Sequence, residues 1–447
     1  MKDNVIEYNL QRKKGCDTTI CHLPLRSLYF GFNGIVTACC FNRFYHLGRF
    51  PENSIEEIIH GEKRKKLQQF LSNTDFSHGC HNCKEMISSR NYSSVGASFG
   101  DTLPDNGDIP TEMIFELDNT CNLKCMMCNA EYSSAHNGGI RNCSPYDSEE
   151  FINQLKPFIP TLHYAKFLGG EPFLSNIYPK IWKIIREINP KCIIRLQTNG
   201  TILNDSIKST LENGNFLIGL SIDTINPEHY KEIRNGASLE TTLKNLDFFD
   251  SINKKHGDYT YISVCPMKQN RFDIPELVDF CNKKGFFINF NNVKTEGFTL
   301  SELSEQELNE LCSYYKSNNH IGNNHIARTN YETFSCLIRR IESLKATARE
   351  NEEKRIKEEY FNEYIPCTRD ELVKALNATL VQKPDFKYDT SIIELIPESF
   401  MIKRKDFLYV QNEKKLDSII EILSMPKDDL PNIIEKIFIS CVNRHEQ

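Results

Sequence analysis

The sequence predicts a mixed α/β protein: a parallel sheet or partial (β/α)6 barrel, a small cysteine-rich α+β unit before it, and helices after it. Three observations predict this. From residue 111 short β-prone runs alternate with amphipathic helical ones. Six cysteines (Cys16, Cys21, Cys39, Cys40, Cys80 and Cys83) fall in the first hundred residues. From residue 301 the segment Ser-Glu-Leu-Ser-Glu-Gln-Glu opens a run of acidic and basic helical stretches.

The elements follow in order. Residues 28–32 and 35–38 flank Asn33-Gly34, a hairpin turn signal, and residues 54–71 read as a helix. The stretch 91–110, rich in Gly, Ser, Asp and Pro, reads as a linker that closes a first domain over 1–105. Strands are expected at 112–117, 165–168, 193–197, 217–222, 259–264 and 286–290, and helices at 177–188, 205–213, 239–252 and 274–284. They form a second domain over 110–298, whose site belongs on loops leaving the C-terminal strand ends. Residues 299–447 are a mostly helical extension, with 345–360 an exposed helix of interleaved charges.

Composition narrows the function classes. No apolar run of the 447-residue chain approaches the ~20 residues that cross a bilayer. The polar opening Met1-Lys-Asp-Asn has no apolar signal-peptide core, so a cytoplasmic protein is expected. The formal net charge of −6 argues against nucleic acid or an anionic membrane as partner. Seventeen cysteines in such a chain point to metal or redox chemistry before disulfides.

Cys121-x3-Cys125-x2-Cys128 sits in the loop after the first expected strand. Three thiolates so spaced can converge on one centre, and a four-iron cluster on three cysteines keeps one iron without a protein ligand. Zinc is the alternative, with His136 or Cys143 as the fourth ligand. After the second strand, Gly169-Gly170-Glu171-Pro172 offers close backbone approach and a carboxylate for an ammonium group. Thr198 and Asn199 end the third strand, and Ser221 and Asp223 the fourth; these suit ribose hydroxyls or an amino-acid carboxylate, or are ordinary turn and cap residues. In the first domain, a hairpin, a helix and the Cys80-x2-Cys83 knuckle bring four thiolates together, with Cys21 and either Cys39 or Cys40. Neighbours on a strand point to opposite faces, so only one of that pair ligates; structural zinc is the alternative here too. Cys143, Cys192, Cys265, Cys281, Cys312, Cys336, Cys367 and Cys441 read as packing residues.

The cysteine knot, Gly169-Gly170-Glu171-Pro172 and Ser221-x-Asp223, in that order on those strands, resemble the radical S-adenosylmethionine (SAM) superfamily over about residues 110–295. The resemblance implies a radical-SAM barrel in which Cys121, Cys125 and Cys128 hold a [4Fe–4S] cluster that binds SAM. It implies that the Gly-Gly-Glu-Pro loop holds the methionyl ammonium, and that Thr198, Asn199, Ser221 and Arg234 contact ribose and carboxylate. Met267 and Asn270 would lie near the adenine. Met127 stands where the family commonly has an aromatic residue, and a thioether can pack on a purine. The pattern Cys21-x12-Gly34-x4-Cys39 with Cys80-x2-Cys83 resembles the SPASM/twitch auxiliary-cluster domain, in its one-cluster twitch form, placed before the barrel rather than after it. Its Gly-x4-Cys spacing favours Cys39 over Cys40. The resemblance implies reductive SAM cleavage, hydrogen abstraction by a 5′-deoxyadenosyl radical, an auxiliary cluster that relays an electron, and a flavodoxin- or ferredoxin-type donor. The substrate it suggests is a peptide to be oxidised or crosslinked. The alternatives are a sugar or other small molecule to be dehydrogenated or epimerised, and, outside catalysis, an iron–sulfur/SAM-binding regulator.

Overall fold

A computed structural model describes residues 2–12, 19–90, 92, 95–141, 144–385, 387, 398–411, 415 and 419–420. Cys16, Cys143 and Cys441 lie outside the described residues. The chain forms two compact units, Met1–Ala348 and Arg349–Gln447.

The first unit is organised by one sheet. Strands β1 (Ser27–Gly31) and β2 (Ile35–Thr37) pair antiparallel, and β3 (Gly48–Arg49) adds to β2. The turn between β1 and β2 needs Gly34: its φ is +85°, and a Cβ there would meet the Phe50 carbonyl oxygen at 2.5 Å. The six expected strands are β4 (Glu112–Glu116), β5 (Tyr164–Phe167), β6 (Ile193–Thr198), β7 (Phe216–Ser221), β8 (Tyr261–Val264) and β9 (Phe287–Phe290). They pair parallel in sequence order. Helices Tyr178–Ile188, Asp205–Glu212, Leu239–Lys255 and Ile274–Lys284 connect them, joined by Pro227–Ile233, which periodicity had not marked.

The sequence did not show that β1 also pairs parallel with β4, from Ser27 opposite Glu112 to Gly31 opposite Glu116. The sheet therefore has nine strands in the order β3-β2-β1-β4-β5-β6-β7-β8-β9 and stays open. Aromatic packing supports the junction: Phe30 stacks on Phe115 at 5.4 Å, and Phe115 on Phe167 at 4.9 Å. Strands that follow one another by right-handed crossovers carry their helices on one face. Ala165, Phe167, Ile194 and Leu196 lie in the core on that face. Alternation sends Tyr164, Lys166, Arg195 and Gln197 to the other, open face.

Two local expectations change. The 54–71 helix is two helices, Ile55–His60 and Glu62–Ser72, because Gly61 takes an extended conformation with ψ 143°. The 91–110 stretch packs rather than tethers. Val95, Ala97 and Leu103 are buried, and the buried Asp101 pairs with Arg12. Gly and Ser there permit a 3-10 turn, Gly96–Thr102, close to other backbone.

Beyond it, the expected charged helix is part of His325–Asn362. The second unit adds helix Arg369–Leu380 and an unforeseen two-stranded sheet, β10 (Tyr364–Thr368) with β11 (Ser399–Lys403). Among the described residues no helix is long and apolar enough to cross a membrane.

Candidate iron–sulfur and SAM site

The loop leaving β4 carries Cys121, Cys125 and Cys128, and backbone contacts to the β7–β8 connection hold it. Lys124 N–H donates to Asn235 O (3.0 Å) and Met126 N–H to Ile233 O (2.9 Å). The three thiols lie within each other's electrostatic reach, and burial raises each; Cys128 is pushed up to about 11. Opposing this, Arg234 Nη1 donates to Cys125 Sγ at 3.8 Å. His136, the zinc alternative's ligand, directs Nε2 to the Cys125 carbonyl at 3.0 Å instead.

The Gly-Gly turn presses on this loop. Gly169 and Gly170 have φ of +81° and +49°, and a Cβ on Gly170 would meet Thr120 O at 2.2 Å. Glu171 is fully buried. Its carboxylate accepts from the Thr198 hydroxyl (2.8 Å), Asn199 N–H (2.8 Å) and Phe173 N–H (3.3 Å). Burial still pushes Glu171 up to about 7. Three of its roughly four acceptor positions are thus taken. Its side chain welds the turn to the end of β6, which differs from a carboxylate standing free for an ammonium group. Pro172, also buried, starts the turn that follows.

The remaining expected site residues divide. Ser221 is half-buried on the open face and accepts from Gln197 Nε2 (2.9 Å). Thr198 is committed to Glu171, and Asn199 donates to Asn122 (3.0 Å) beside Cys121. Asp223 accepts from Arg234 Nε (2.7 Å) and Cys265 N–H (2.7 Å). Asn270 donates to the carbonyls of Asp223 (2.9 Å) and Cys265 (3.0 Å), closing the loop after β8. Met267 is buried with Ile233 and Val293, against Met127, Cys265 and Phe298. Asp223, Arg234, Asn270 and Met267 therefore form one supporting cluster beneath the cysteine loop.

A second set of thiols surrounds a separate cavity. Cys21, Cys39, Cys80 and Cys83 line it together with Leu23, Leu67, Leu71, Phe76 and Ala97. Every sulfur there has an N–H donor: Leu23 for Cys21, Asn42 N–H for Cys39, Asn42 Nδ2 for Cys80 (3.3 Å), and Gly96 and Ala97 for Cys83. Burial raises all four thiols, so they ionise there only with a cation to pair. Asn42, only 2% exposed, carried no signal in the sequence. Cys40 is absent from this lining; its thiol sits in the field of Lys166, Glu112, Arg43 and Glu116, toward the open face.

Among the described residues no three His, Cys, Asp or Glu side chains close on a single point as ligands of one ion. A mostly apolar cavity with four thiols and N–H donors to each sulfur suits an iron–sulfur cluster, whose potential such donors tune.

Two family models match the chain. Residues 116–281 match the radical SAM superfamily, and residues 21–84 match SPASM, an iron–sulfur cluster-binding domain. The chain is similar to a probable GTP 3′,8-cyclase of Methanococcus maripaludis (28% identity over 167 residues, 37% of this chain and 53% of the relative). It is also similar to the GTP 3′,8-cyclase of Clostridium perfringens (27% identity, 42% of this chain and 59% of the relative). The chain spans about half the length of the curated relatives it matches. Among solved structures, Streptococcus suis SuiB bound to S-adenosylmethionine aligns with a TM-score of 0.36 at 17% identity, covering 54% of this chain and 60% of that one. Native anSMEcpe with bound AdoMet aligns at 0.37 and 22%, covering 46% and 58%.

Proposed function

We propose that this chain, which carries a radical SAM domain beside an iron–sulfur cluster-binding domain, is a two-cluster radical SAM enzyme that oxidises or crosslinks a peptide. Its cofactors are a [4Fe–4S] cluster, S-adenosylmethionine and an auxiliary iron–sulfur cluster. The observation that carries the reading is the placement of two separate thiol sets on one continuous sheet: Cys121, Cys125 and Cys128 after β4, and Cys21, Cys39, Cys80 and Cys83 around the cavity beside β2.

When loaded, the first site supplies hydrogen-atom abstraction through reductive cleavage of SAM to 5′-deoxyadenosine. The chain's own residues prepare it. Gly169 and Gly170 bring backbone against the cysteine loop, Glu171 and Thr198 fix that turn, and Arg234 neutralises Asp223 while donating to Cys125. Ser221 presents a hydroxyl on the open face, held by Gln197. Four cysteines at the auxiliary site leave no iron open for substrate. That supports an exit path for the electron a substrate radical must lose on oxidation, and a flavodoxin- or ferredoxin-type donor is the proposed source of the first electron. The peptide reading rests on the pairing of a radical SAM with a SPASM-type domain. The likeness to GTP 3′,8-cyclases favours, as a second reading, a small-molecule substrate.

Anaerobic reconstitution with iron and sulfide, then dithionite and SAM, tests the reading. 5′-Deoxyadenosine is the expected product; a cluster-binding regulator yields none.

A further inference from the structure

We propose that Lys166 and Arg195 form a carboxylate-binding subsite on the open face of the sheet, which takes an acidic side chain of a peptide substrate. This rests on the preceding reading in one respect, that substrate lies over that face.

The two residues are direct register partners on β5 and β6. Both sit at half-buried positions of an alternating pattern whose buried positions belong to the helix-covered core. Like charges placed opposite one another on adjacent strands repel. Yet neither side chain makes an ion pair or hydrogen bond among the described residues, and Arg195 Nε is buried without a partner.

The carboxylates facing them are engaged elsewhere. Glu112 accepts from Ser27 Oγ (3.0 Å). Glu116 accepts from the Tyr29 hydroxyl and pairs with Arg43 (2.8 Å). Arg195 is nonetheless fixed in place: its guanidinium carbon lies 3.8 Å from the centroid of the Tyr164 ring. A held guanidinium beside an ammonium, on strands about 4.8 Å apart, matches the two oxygens of one carboxylate. An anion that joins the two cations relieves their mutual repulsion. Cys40, whose thiol feels Lys166 and Glu112, borders the same face.

The experiment is equilibrium dialysis of the reconstituted protein at pH 7 with saturating SAM, which removes the methionyl carboxylate as a competing occupant. The probes are N-acetyl-glutamate amide, N-acetyl-glutamine amide and inorganic phosphate. The glutamate probe should be retained at least tenfold better than the glutamine probe, a comparison that needs no variant. Lys166→Gln with Arg195→Gln should abolish the difference, and Lys166→Arg should keep it. Equal retention of the two amides, preference for phosphate over the glutamate probe, or unchanged retention in the double variant overturns the proposal. 5′-Deoxyadenosine formation by the same wild-type preparation reports separately on the radical SAM reading.

Discussion

Cys39 and Cys40 are neighbours in the chain, yet Cys39 lines the apolar cavity with Cys21, Cys80 and Cys83 while Cys40 faces the charged groups of the open face. Cys39 bridges Asn42 just past the end of β2, and Cys40 begins the turn that follows, so the chain turns the two thiols to different surroundings. Cys39→Ala should therefore lower iron content by about four atoms per chain, one [4Fe–4S] complement. Cys40→Ala should leave it near the wild-type value. Iron and sulfide analysis of the reconstituted variants checks this, and the reverse pattern would exchange the roles of the two thiols.

Cys83 stands at the N-terminal turn of helix His81–Ser88, with its sulfur held by the Gly96 and Ala97 N–H groups. A Cys83→Ala protein that keeps its first cluster should still release 5′-deoxyadenosine, with product oxidation falling at least tenfold. Product at wild-type yield from that variant would remove the electron-relay role.

Burial holds Glu171 near pH 7, against a usual carboxyl value of 4.5. The folded chain therefore keeps a proton that the unfolded chain has lost, and the ligand-free protein should lose stability as pH rises from about 4.5 to about 7. A shift of that size corresponds to roughly 3 kcal/mol across the window. Urea unfolding of the ligand-free protein at pH 5, 6 and 7 measures the slope; Glu171→Gln should flatten it.

Gly170→Ala sets a methyl group against the Thr120 carbonyl oxygen at 2.2 Å, backbone against backbone, at a φ of +49°. Neither partner can swing aside. Loss of about 2 kcal/mol or more in urea unfolding is expected, together with weakened SAM binding by equilibrium dialysis. A variant as stable as wild type would mean that the cysteine loop yields easily.

Asp101→Ala probes the 91–110 segment. The change strands Arg12, whose Nε donates to Asp101 at 2.8 Å with both side chains almost wholly buried. Breaking such a pair costs about 3–5 kcal/mol. A free tether would lose nothing measurable by the same denaturation curve.

Six parallel strands were legible because each is rich in β-branched or aromatic residues with turn residues near its ends, and amphipathic helices lie between them. Both thiol sets were legible from spacing. What the sequence hid depends on contacts between distant segments. Phe30 against Phe115 draws β1 onto β4, and nothing local to either strand announces it. Lys166 and Arg195 look like ordinary surface cations until register places them side by side. Glu171 was visible as a carboxylate in a loop; that three donors from Phe173, Thr198 and Asn199 consume its oxygens follows only from the fold.

The parallel pairing of β1 with β4 bears on how the protein can be divided. Residues 110–298 expressed alone would leave β4 as a bare edge, its five residues from Glu112 to Glu116 offering unpaired backbone along an apolar strand. Phe115 would lose the ring stacked on one side of it. Such an edge recruits other strands, so the severed piece should aggregate. Heritable change meets the same constraint: a deletion or swap that removes the first hundred residues takes away the strand that seals the rest.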